Sequence, residues 1–459
     1  MFIGRNKEVQ TIQETFKYPS RAIALYGKRR VGKTTLVNYV LKDNQNYIYF
    51  ECIKDTLEIN INYFIRTCIN KGIAIPSYVK FDNFIDVFSY FDSLNQRYYI
   101  VIDEYPYLKE MNDSQLIDSH FQNIIDNHLK NINLIISGSQ IKMMESLLHE
   151  GNALYGRFYK TIELKELNYI ETKNFYSTYS IYDSVVMRSI FGGSPFVNEN
   201  IDSSKSYEEN IIDTFLDENS SIYNYADNIL LTDVSNELQA RRILSYLANS
   251  KKKYKEIVDK LDSKNTGLIN RSLESLLDLN LVRKVYPINK IGDKKKSYYE
   301  ISDNVLRFFY TYIYNNKSII NDIGSYNFYH NYIKDSLVTF VSLRFEDQAK
   351  EYFSLLSKKG IRNDIKNIGT YYYDDKENAT NGQFDVVLET KKGYEIYNVK
   401  FYKEPLKVSV MNKEVSEVNM IKELKVSKNG FINVNGFEDN SLPYTQISGE
   451  QLYSFCELK

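Results

Sequence analysis

Residues 27–34 have the types and spacing of a loop that binds phosphate. They read GKRRVGKT, which fits the pattern G-x-x-x-x-G-K-[ST] at every fixed position. Gly27 and Gly32 would let backbone N–H groups wrap around a phosphate, because glycine allows a close approach of the backbone. An apolar segment precedes the loop and a helical pattern follows it, so the N-terminus of a helix would add positive potential. The segment therefore predicts a nucleotide site.

The end of this loop also carries the side chains that such a site needs. Lys33 is expected to bridge the β- and γ-phosphates of ATP, and the hydroxyl of Thr34 is expected to ligate Mg²⁺. Arg30 and Thr35 lie within the same cradle and are expected to contact the nucleotide. ATP and Mg²⁺ are therefore the predicted cofactors.

A second apolar segment, YYIVIDEY at residues 98–105, ends in two adjacent carboxylates. In a parallel sheet it would place Asp103 beside the metal ion and Glu104 near the γ-phosphate, where a carboxylate could act as base toward water. Without the phosphate loop, the same pair would indicate only an acidic turn after a buried strand. With the loop, the pair predicts ATP hydrolysis.

Three more polar residues are candidates for the catalytic step. Ser137 and Ser139 follow the apolar segment LII, and either hydroxyl could hydrogen-bond the γ-phosphate or the attacking water. Arg157, in LYGRFYKTIEL, is a candidate for stabilising transition-state charge, either within the chain or from a neighbouring copy. The alternative for Arg157 is an ordinary surface arginine.

The order of apolar strands and helical patterns predicts an α/β fold with several domains. Strands near residues 21–27, 46–52, 97–105 and 131–139 alternate with helices, which favours a parallel sheet covered on both faces. Later segments predict a helical lid, a winged helix-turn-helix, a helical linker and an α+β domain. The predicted boundaries are 1–163, 164–234, 235–300, 301–339 and 340–459.

Composition excludes few functions. The chain has 459 residues, with 58 Lys and Arg against 59 Asp and Glu, so net charge indicates no polyanionic partner. Cys52, Cys68 and Cys456 show no CxxC spacing, and the four histidines form no metal-ligand cluster. No apolar run approaches the roughly 18 residues of a membrane span. We therefore expect a cytoplasmic protein with reduced thiols and no membrane partner.

Six stretches together resemble the archaeal and bacterial ATPases of the STAND branch of the AAA superfamily. They are FIGRNKEVQTI, LYGKRRVGKTTL, YIVIDEYPYL, LIISGS, LYGRFYKTIEL and FGGSPFVNE. The resemblance implies a P-loop NTPase domain in which Ile3, Gly4 and Arg5 lie near the adenine. It also implies that Pro195, in the lid, folds over the nucleotide.

The same resemblance extends to the C-terminal segment, which is similar to a domain of unknown function related to PD-(D/E)XK nucleases, with a restriction-endonuclease-like fold. Glu346, Asp385 and Lys400 match residues that hold Mg²⁺ and orient water in such nucleases, but the position two before the lysine is Asn398. Residues 398 and 400 share a strand face, whereas Glu395 points to the other. Loss of one carboxylate weakens a site for a hard cation. Both an inactive or merely DNA-binding nuclease fold and an active nuclease stay open.

The output of the predicted ATPase also stays open. The third helix of the predicted winged helix would present Asn270, Arg271 and Glu274 outward, fewer basic groups than a DNA-reading helix usually has. The lysine runs 251–253 and 294–296 could contact phosphates or be merely solvated. We expect an ATP-driven molecular switch coupled to handling of duplex DNA. The alternative is a signalling scaffold that binds protein partners, and a homo-oligomer is compatible with either.

Overall fold

The structure is a computed structural model that describes residues 2–230, 236–261, 266–375, 380–421 and 424–454. The chain divides into two compact units. The first contains residues 1–167 and 194–196, and the second contains residues 168–193 and 197–459. These units do not follow the five predicted boundaries: residues 164–167 and 194–196 of the predicted lid belong to the first unit, and the rest of the chain after residue 167 belongs to the second. The predicted lid boundary at 234 lies outside the described residues.

A five-stranded parallel sheet forms the centre of the first unit, as the apolar segments predict. Its strand order is β2-β3-β4-β1-β5. The strands are β1 Arg21–Tyr26, β2 Tyr47–Glu51, β3 Tyr98–Asp103, β4 Ile132–Gly138 and β5 Lys160–Glu163. The first four agree with the predicted segments, whereas β5 was not predicted. All carboxyl ends lie at one edge of the sheet, where ligands of such sheets bind.

Seven helices cover both faces of this sheet. They are α1 Asn6–Thr15, α2 Lys33–Leu41, α3 Leu57–Asn70, α4 Phe84–Ser93, α5 Tyr105–Met111, α6 Ser114–Asn127 and α7 Ile141–Ser146. On one face Val101 and Ile135 pack against Leu36 of α2. On the other face Ile136 belongs to a core that includes Phe121 of α6. Burial on both faces explains why the strands read as continuous apolar runs.

Helices continue the chain into the second unit, except that Pro195 and Phe196 at the start of α10 belong to the first unit. They are α8 Tyr169–Lys173, α9 Ile181–Phe191, α10 Pro195–Asn198, α11 Tyr207–Phe215 and α12 Ser221–Asn228. Three further helices and a hairpin follow: α13 Glu237–Leu247, α14 Tyr254–Leu261, α15 Thr266–Asp278, β6 Val282–Val285 and β7 Tyr298–Ile301. Lys252 and Tyr299 exchange two backbone hydrogen bonds beside this hairpin. The assignment of residues 235–300 as a winged helix-turn-helix stays a prediction.

The segment predicted to be a linker is instead part of the hydrophobic core. Its helices are α16 Asn304–Phe308, α17 Lys317–Ile323, α18 Ser325–Phe328 and α19 Lys334–Lys358. Phe308, Phe309, Tyr329 and Ile333 are buried. The predicted boundary at 339 therefore falls inside α19. The run of tyrosine and phenylalanine reflects burial, which a linker does not require.

A mixed sheet completes the second unit, with strand order β12-β11-β10-β9-β8. Its elements are β8 Ile365–Asp375, β9 Thr380–Thr390, β10 Gly393–Lys400, α20 Val408–Asn419, β11 Val426–Asn433, β12 Thr445–Ser448 and α21 Gly449–Ser454. The ring of Phe353 on α19 lies 4.5 Å from that of Tyr397 on one face of the sheet. On the other face, Val418 of α20 packs with Ile396. This end of the chain is therefore α+β, as predicted.

Two expectations from composition concern thiols and membranes. Cys52 and Cys68 are free and buried, while Cys456 lies outside the described residues. In the part of the chain that the structure describes, no helix combines the length and the apolar character needed to cross a membrane.

Candidate nucleotide site

The phosphate loop connects the end of β1 to the first residue of α2, and the lysine of the loop folds back onto it. Lys33 Nζ donates to the carbonyl oxygens of Gly27, at 3.0 Å, and Lys28, at 3.3 Å. Burial lowers the pKa of Lys33, while the nearby carboxylates of Glu104 and Asp103 oppose that change. An ammonium group therefore stands inside the loop and close to two carboxylates.

Glycine is required in this loop by conformation and by space. Gly32 caps α2 with φ of 94°, in the left-handed region that favours glycine. A Cβ atom on Gly27 would lie 2.2 Å from the carbonyl oxygen of Leu164. The chain after β5 thus passes directly against the loop, and only glycine fits at position 27.

Asp103 and Thr34, the two residues predicted to hold magnesium, meet at the carboxyl edge of the sheet. Thr34 Oγ1 donates to Asp103 Oδ2 at 3.4 Å. Tyr49, on β2, was not predicted: its hydroxyl donates to Asp103 Oδ2 and lies 3.1 Å from Thr34 Oγ1. Burial and the charge of Asp103 raise the pKa of Tyr49, so the phenol stays a donor. Three oxygen atoms therefore gather where the metal is expected.

Glu104 lies against the end of the neighbouring strand. Its Oε2 accepts hydrogen bonds from the backbone nitrogen of Ser139, at 3.1 Å, and from Ser139 Oγ, at 2.8 Å. Glu104 has φ of 49°, which is uncommon for a residue other than glycine and often marks a functional position. Ser137 is buried, and within the described residues its hydroxyl has no hydrogen-bond partner. The structure thus brings the predicted base and one predicted sensor into direct contact.

The N-terminal stretch packs onto the phosphate loop. Arg5 is buried and donates through Nη2 to the carbonyl oxygen of Val31 at 3.0 Å. Gly4 and Arg5 have φ of 70° and 64°, so the chain turns sharply before α1. Ile3 is half-buried beside this turn. The predicted contact of these residues with adenine stays a prediction, but their anchorage to the loop fits it.

Residues 194–196 also lie on the phosphate loop. Ser194 Oγ donates to the carbonyl oxygen of Arg30 at 3.0 Å. The guanidinium of Arg30 stacks 4.1 Å from the ring of Phe196, and Pro195 Cγ lies 3.5 Å from the position of a Cβ on Gly32. Sequence reasoning named Pro195 but missed Ser194 and Phe196, although both stand in the quoted GGSPF stretch.

Arg157 lies too far from this site to act within its own chain. Ile23 of β1 pairs with Lys160 of β5, and the two strands are parallel, so Arg157 lies at the amino edge of the sheet. The phosphate loop is at the opposite, carboxyl edge. Arg157 Nε instead donates to both carboxylate oxygens of Asp126, at 3.1 and 3.0 Å. The cis role is therefore wrong, because the side chain cannot reach across the sheet.

The C-terminal residues predicted to form a nuclease-like site do not gather in one place. Glu346 on α19 and Asp385 on β9 line one cavity, and burial together with the charge of Asp385 raises the pKa of Glu346 to about 7. Lys400 Nζ instead donates to Glu414 of α20 at 2.6 Å. Asn398 lies on the same strand face as Lys400, as parity predicts. The predicted grouping of four is therefore wrong.

A β-bulge in β9 explains why Asp385 lies with Glu346 and apart from Asn398 and Lys400. Gly369 pairs with Val387 and Tyr371 pairs with Phe384, so β9 holds one extra residue between these pairs. Phe384 and Val387 consequently pack in the same cluster as Val418 of α20, although strict alternation would put them on opposite faces. Asp385 then faces α19 with Glu346. Among the described residues, no group of three or more His, Cys, Asp or Glu side chains could hold a metal ion.

The loop of the hairpin between β6 and β7 packs on the C-terminal sheet. Asn289 Nδ2 donates to the carbonyl oxygen of Tyr372 at 2.7 Å, and the backbone nitrogen of Tyr372 donates to Asn289 Oδ1 at 3.1 Å. Lys296 Nζ lies 3.6 Å from the centre of the Tyr372 ring. This loop, which the sequence offered as a phosphate contact, is therefore engaged within its own unit.

Comparison of the sequence with known families agrees with the geometry. Residues 2–185 match a family described as an ATPase domain predominantly from Archaea. Residues 309–417 match a family of archaeal and bacterial proteins of unknown function. An uncharacterised protein of Methanocaldococcus jannaschii is 29% identical over 363 residues, which cover 78% of each chain. The matches support the predicted ATPase domain and the predicted C-terminal domain of unknown function.

Two solved structures resemble the fold at low sequence identity. The Walker-type ATPase of Pyrococcus abyssi is 17% identical with a TM-score of 0.48, over 68% of this chain and 96% of that one. The ORC2 protein of Aeropyrum pernix, in ADPNP–ADP complexes, is 10% identical with a TM-score of 0.44, over 69% and 94% of the two chains. Identities and TM-scores this low assign no activity to the present chain.

Proposed function

We propose that the first unit binds Mg·ATP at the phosphate loop and hydrolyses it to ADP and phosphate. The observation that supports this proposal is the convergence of Lys33, Thr34, Asp103 and Glu104 at one edge of the sheet, in contact or in electrostatic reach of one another. Backbone N–H groups of the loop and the N-terminus of α2 would bind the phosphates. The segment with Ser194 and Pro195 would close over them.

The donor set fits magnesium. Thr34 Oγ1 and Asp103 Oδ2 are the hard oxygen ligands that Mg²⁺ prefers, and they lie 3.4 Å apart. The ion would neutralise charge on the β- and γ-phosphates. Tyr49 donates to the same carboxylate oxygen, so we propose that its hydroxyl leaves when the ion binds.

Glu104 is the proposed base. Its carboxylate would accept a proton from the attacking water while the water oxygen bonds to the γ-phosphorus and the bond to the bridging β–γ oxygen breaks. The hydrogen bonds from Ser139 fix the carboxylate before ATP arrives. Ser139 would then report the state of the γ-phosphate through this shared contact, and Ser137 would donate to the same phosphate.

The first experiment tests binding. We expect Lys33→Ala to abolish ATP binding in a calorimetric titration with Mg²⁺, because the phosphates lose their buried cation. Lys42→Ala is the matched control, since Lys42 lies exposed at the other end of the same helix and should bind normally. Wild-type affinity in a folded Lys33→Ala protein would contradict the assignment of the phosphate loop.

The second unit is proposed to be the output of a nucleotide-driven switch. Handling of duplex DNA through the hairpin segment is one candidate. Binding of a protein partner is the other, and the engagement of Asn289 and Lys296 with Tyr372 favours it, because these contacts occupy the loop that would grip DNA. Measurement of ATP hydrolysis with and without duplex DNA at several salt concentrations separates the two. DNA contact releases counterions, so stimulation by DNA should fall steeply with salt.

A further inference from the structure

A large cavity lies inside the second unit, between the hairpin β6–β7, helix α19 and strands β8 and β9. Its volume is about 1560 Å³. Pockets for small molecules are usually about 300–1,000 Å³. The cavity therefore has room for a ligand of nucleotide size or larger, and it lies in a different unit from the phosphate loop.

Two buried arginines in the wall of this cavity each have a donor nitrogen for which the described residues offer no acceptor. Arg307 and Arg344 are 7% and 8% exposed. Within the described residues, Arg307 Nε and Arg344 Nη1 have no hydrogen-bond acceptor. Their closest carboxylate oxygens are weak contacts, 4.0 Å from Arg307 Nη2 to Glu300 and 3.7 Å from Arg344 Nη1 to Asp347. A buried N–H group without an acceptor is costly, so an anionic ligand would stabilise both side chains.

The charge of the wall also favours an anion. Seven lysine and arginine side chains line the cavity, against five aspartate and glutamate side chains. The pKa of Glu346 is raised to about 7, so this carboxyl is partly neutral at physiological pH. Asp347 is shared by Arg283 and Arg344, at 3.2 and 3.7 Å, and cannot neutralise both. Cationic side chains therefore outnumber anionic ones in the wall of the cavity.

The remaining wall is suited to an aromatic ring. Tyr332 and Leu343 are 48% and 46% exposed although both belong to the wall of a concave site. Tyr286 and Tyr298 line the same space. Exposed apolar and aromatic side chains in a cavity indicate a ligand with a flat apolar part, and a base stacked on a tyrosine contributes about 1–3 kcal/mol.

We propose that this cavity binds a phosphorylated nucleoside group, either a free nucleotide or the phosphorylated end of a nucleic-acid strand. Arg307 and Arg344 donate to the phosphate, and the base packs against Tyr332 and Leu343. Arg307 belongs to α16, Arg344 and Leu343 belong to α19, and the wall of the cavity continues onto the hairpin and β9.

The test is a calorimetric titration of the full chain, carried out on the wild type and on Lys33→Ala without added ADP or ATP, because either nucleotide would compete for the cavity. The probes are thymidine 5′-monophosphate, a 5′-phosphorylated trithymidylate and the same trinucleotide without the 5′-phosphate. We expect the phosphorylated probes to bind and the unphosphorylated one to bind at least about tenfold more weakly, since charge-assisted hydrogen bonds are lost. If thymidine 5′-monophosphate and the phosphorylated trinucleotide bind with equal affinity, the ligand is a free nucleotide. If the phosphorylated trinucleotide binds more tightly than the mononucleotide, the ligand is the end of a strand.

Variants separate this site from the phosphate loop. Arg344→Gln and Arg307→Gln should each weaken the phosphorylated probes at least about tenfold, while Lys413→Gln, an exposed cation on α20, should not. Leu343→Asp, on the open wall, gives a second variant should an arginine variant fail to fold. Lys33→Ala should leave binding unchanged, which keeps this result independent of the proposed ATPase. Absence of binding, equal binding with and without phosphate, or loss of binding in Lys33→Ala would each overturn the proposal.

Discussion

Tyr49→Phe is expected to strengthen Mg·ATP binding while it destabilises the nucleotide-free protein. The Tyr49 hydroxyl donates to the buried carboxylate of Asp103 and contacts Thr34 Oγ1. These two oxygen atoms are the proposed contacts of the ion. The wild type must therefore give up the tyrosine contacts before the ion can bind, and the variant has no such contacts to lose.

The size of the effect follows from the charge of the acceptor. A hydrogen bond to a charged group contributes about 1.5–3 kcal/mol, and each 1.4 kcal/mol corresponds to a factor of ten in an equilibrium constant. Asp103 is 5% exposed, so water cannot readily replace the missing donor. We expect the free energy of unfolding of the nucleotide-free variant to fall by about 1–3 kcal/mol, and its Kd for Mg·ATP to fall at least about tenfold.

Calorimetric titration measures the Kd for Mg·ATP. Thermal unfolding monitored by circular dichroism measures the loss of stability. When ATP is titrated without Mg²⁺, the affinity of the variant should exceed that of the wild type by much less, because the ion is the species that competes with the Tyr49 hydroxyl. Tyr47→Phe is the matched control: Tyr47, two residues earlier on β2, donates to Asn38 Oδ1 at 2.7 Å. Unchanged or weaker Mg·ATP binding by a destabilised Tyr49→Phe variant would refute the competition.

Three further substitutions test individual side chains. Glu104→Gln should bind ATP normally but hydrolyse it roughly 10²-fold more slowly, because an amide is a poor base; hydrolysis at the wild-type rate would remove Glu104 from that role. Glu346→Gln should flatten the pH dependence of unfolding between about pH 4.5 and 7. The folded-state pKa of Glu346 is raised from 4.5 to about 7, so the wild type loses stability as pH rises through this range, by at most about 3 kcal/mol. If the free energy of unfolding of Glu346→Gln, measured in urea, keeps the wild-type dependence on pH, the titrating proton belongs to another group. Asn398→Glu should not produce Mg²⁺-dependent plasmid cleavage, because the new carboxylate would lie on the α20 face of the sheet, away from Asp385. Cleavage by this variant that Asp385→Ala abolishes would show instead that residues 398 and 385 act in one site.

The residues that could be predicted from sequence are those whose role depends on local pattern. The phosphate loop, Asp103 and Glu104 each stand directly after a continuous apolar strand, and parallel strands carry such ends to one edge. Ser139 was predicted for the same reason, and its contact with Glu104 follows from the adjacency of β3 and β4. Strand order is therefore the only long-range information needed to predict which residues meet at the carboxyl edge of a parallel sheet.

Tyr49 could not be identified in this way. It is one of 41 tyrosines, so its type carries no signal. Its position beside Asp103 depends on the register between β2 and β3, in which Glu51 pairs with Asp103. The same reasoning applies to Arg157, whose sequence neighbourhood suggested a catalytic role until the pairing of β5 with β1 put it at the wrong edge.

The C-terminal sheet shows how a single inserted residue defeats an argument from strand parity. Parity correctly put Asn398 and Lys400 on one face and Glu395 on the other, where Glu395 accepts from Arg362 and Tyr397, both at 2.9 Å. No such rule related these residues to Asp385, because the bulge in β9 turns that carboxylate toward α19. Asp385 thus joins Glu346 in the wall of the cavity, away from Asn398 and Lys400, and the cationic side chains of that wall are the groups that would recognise the proposed phosphate.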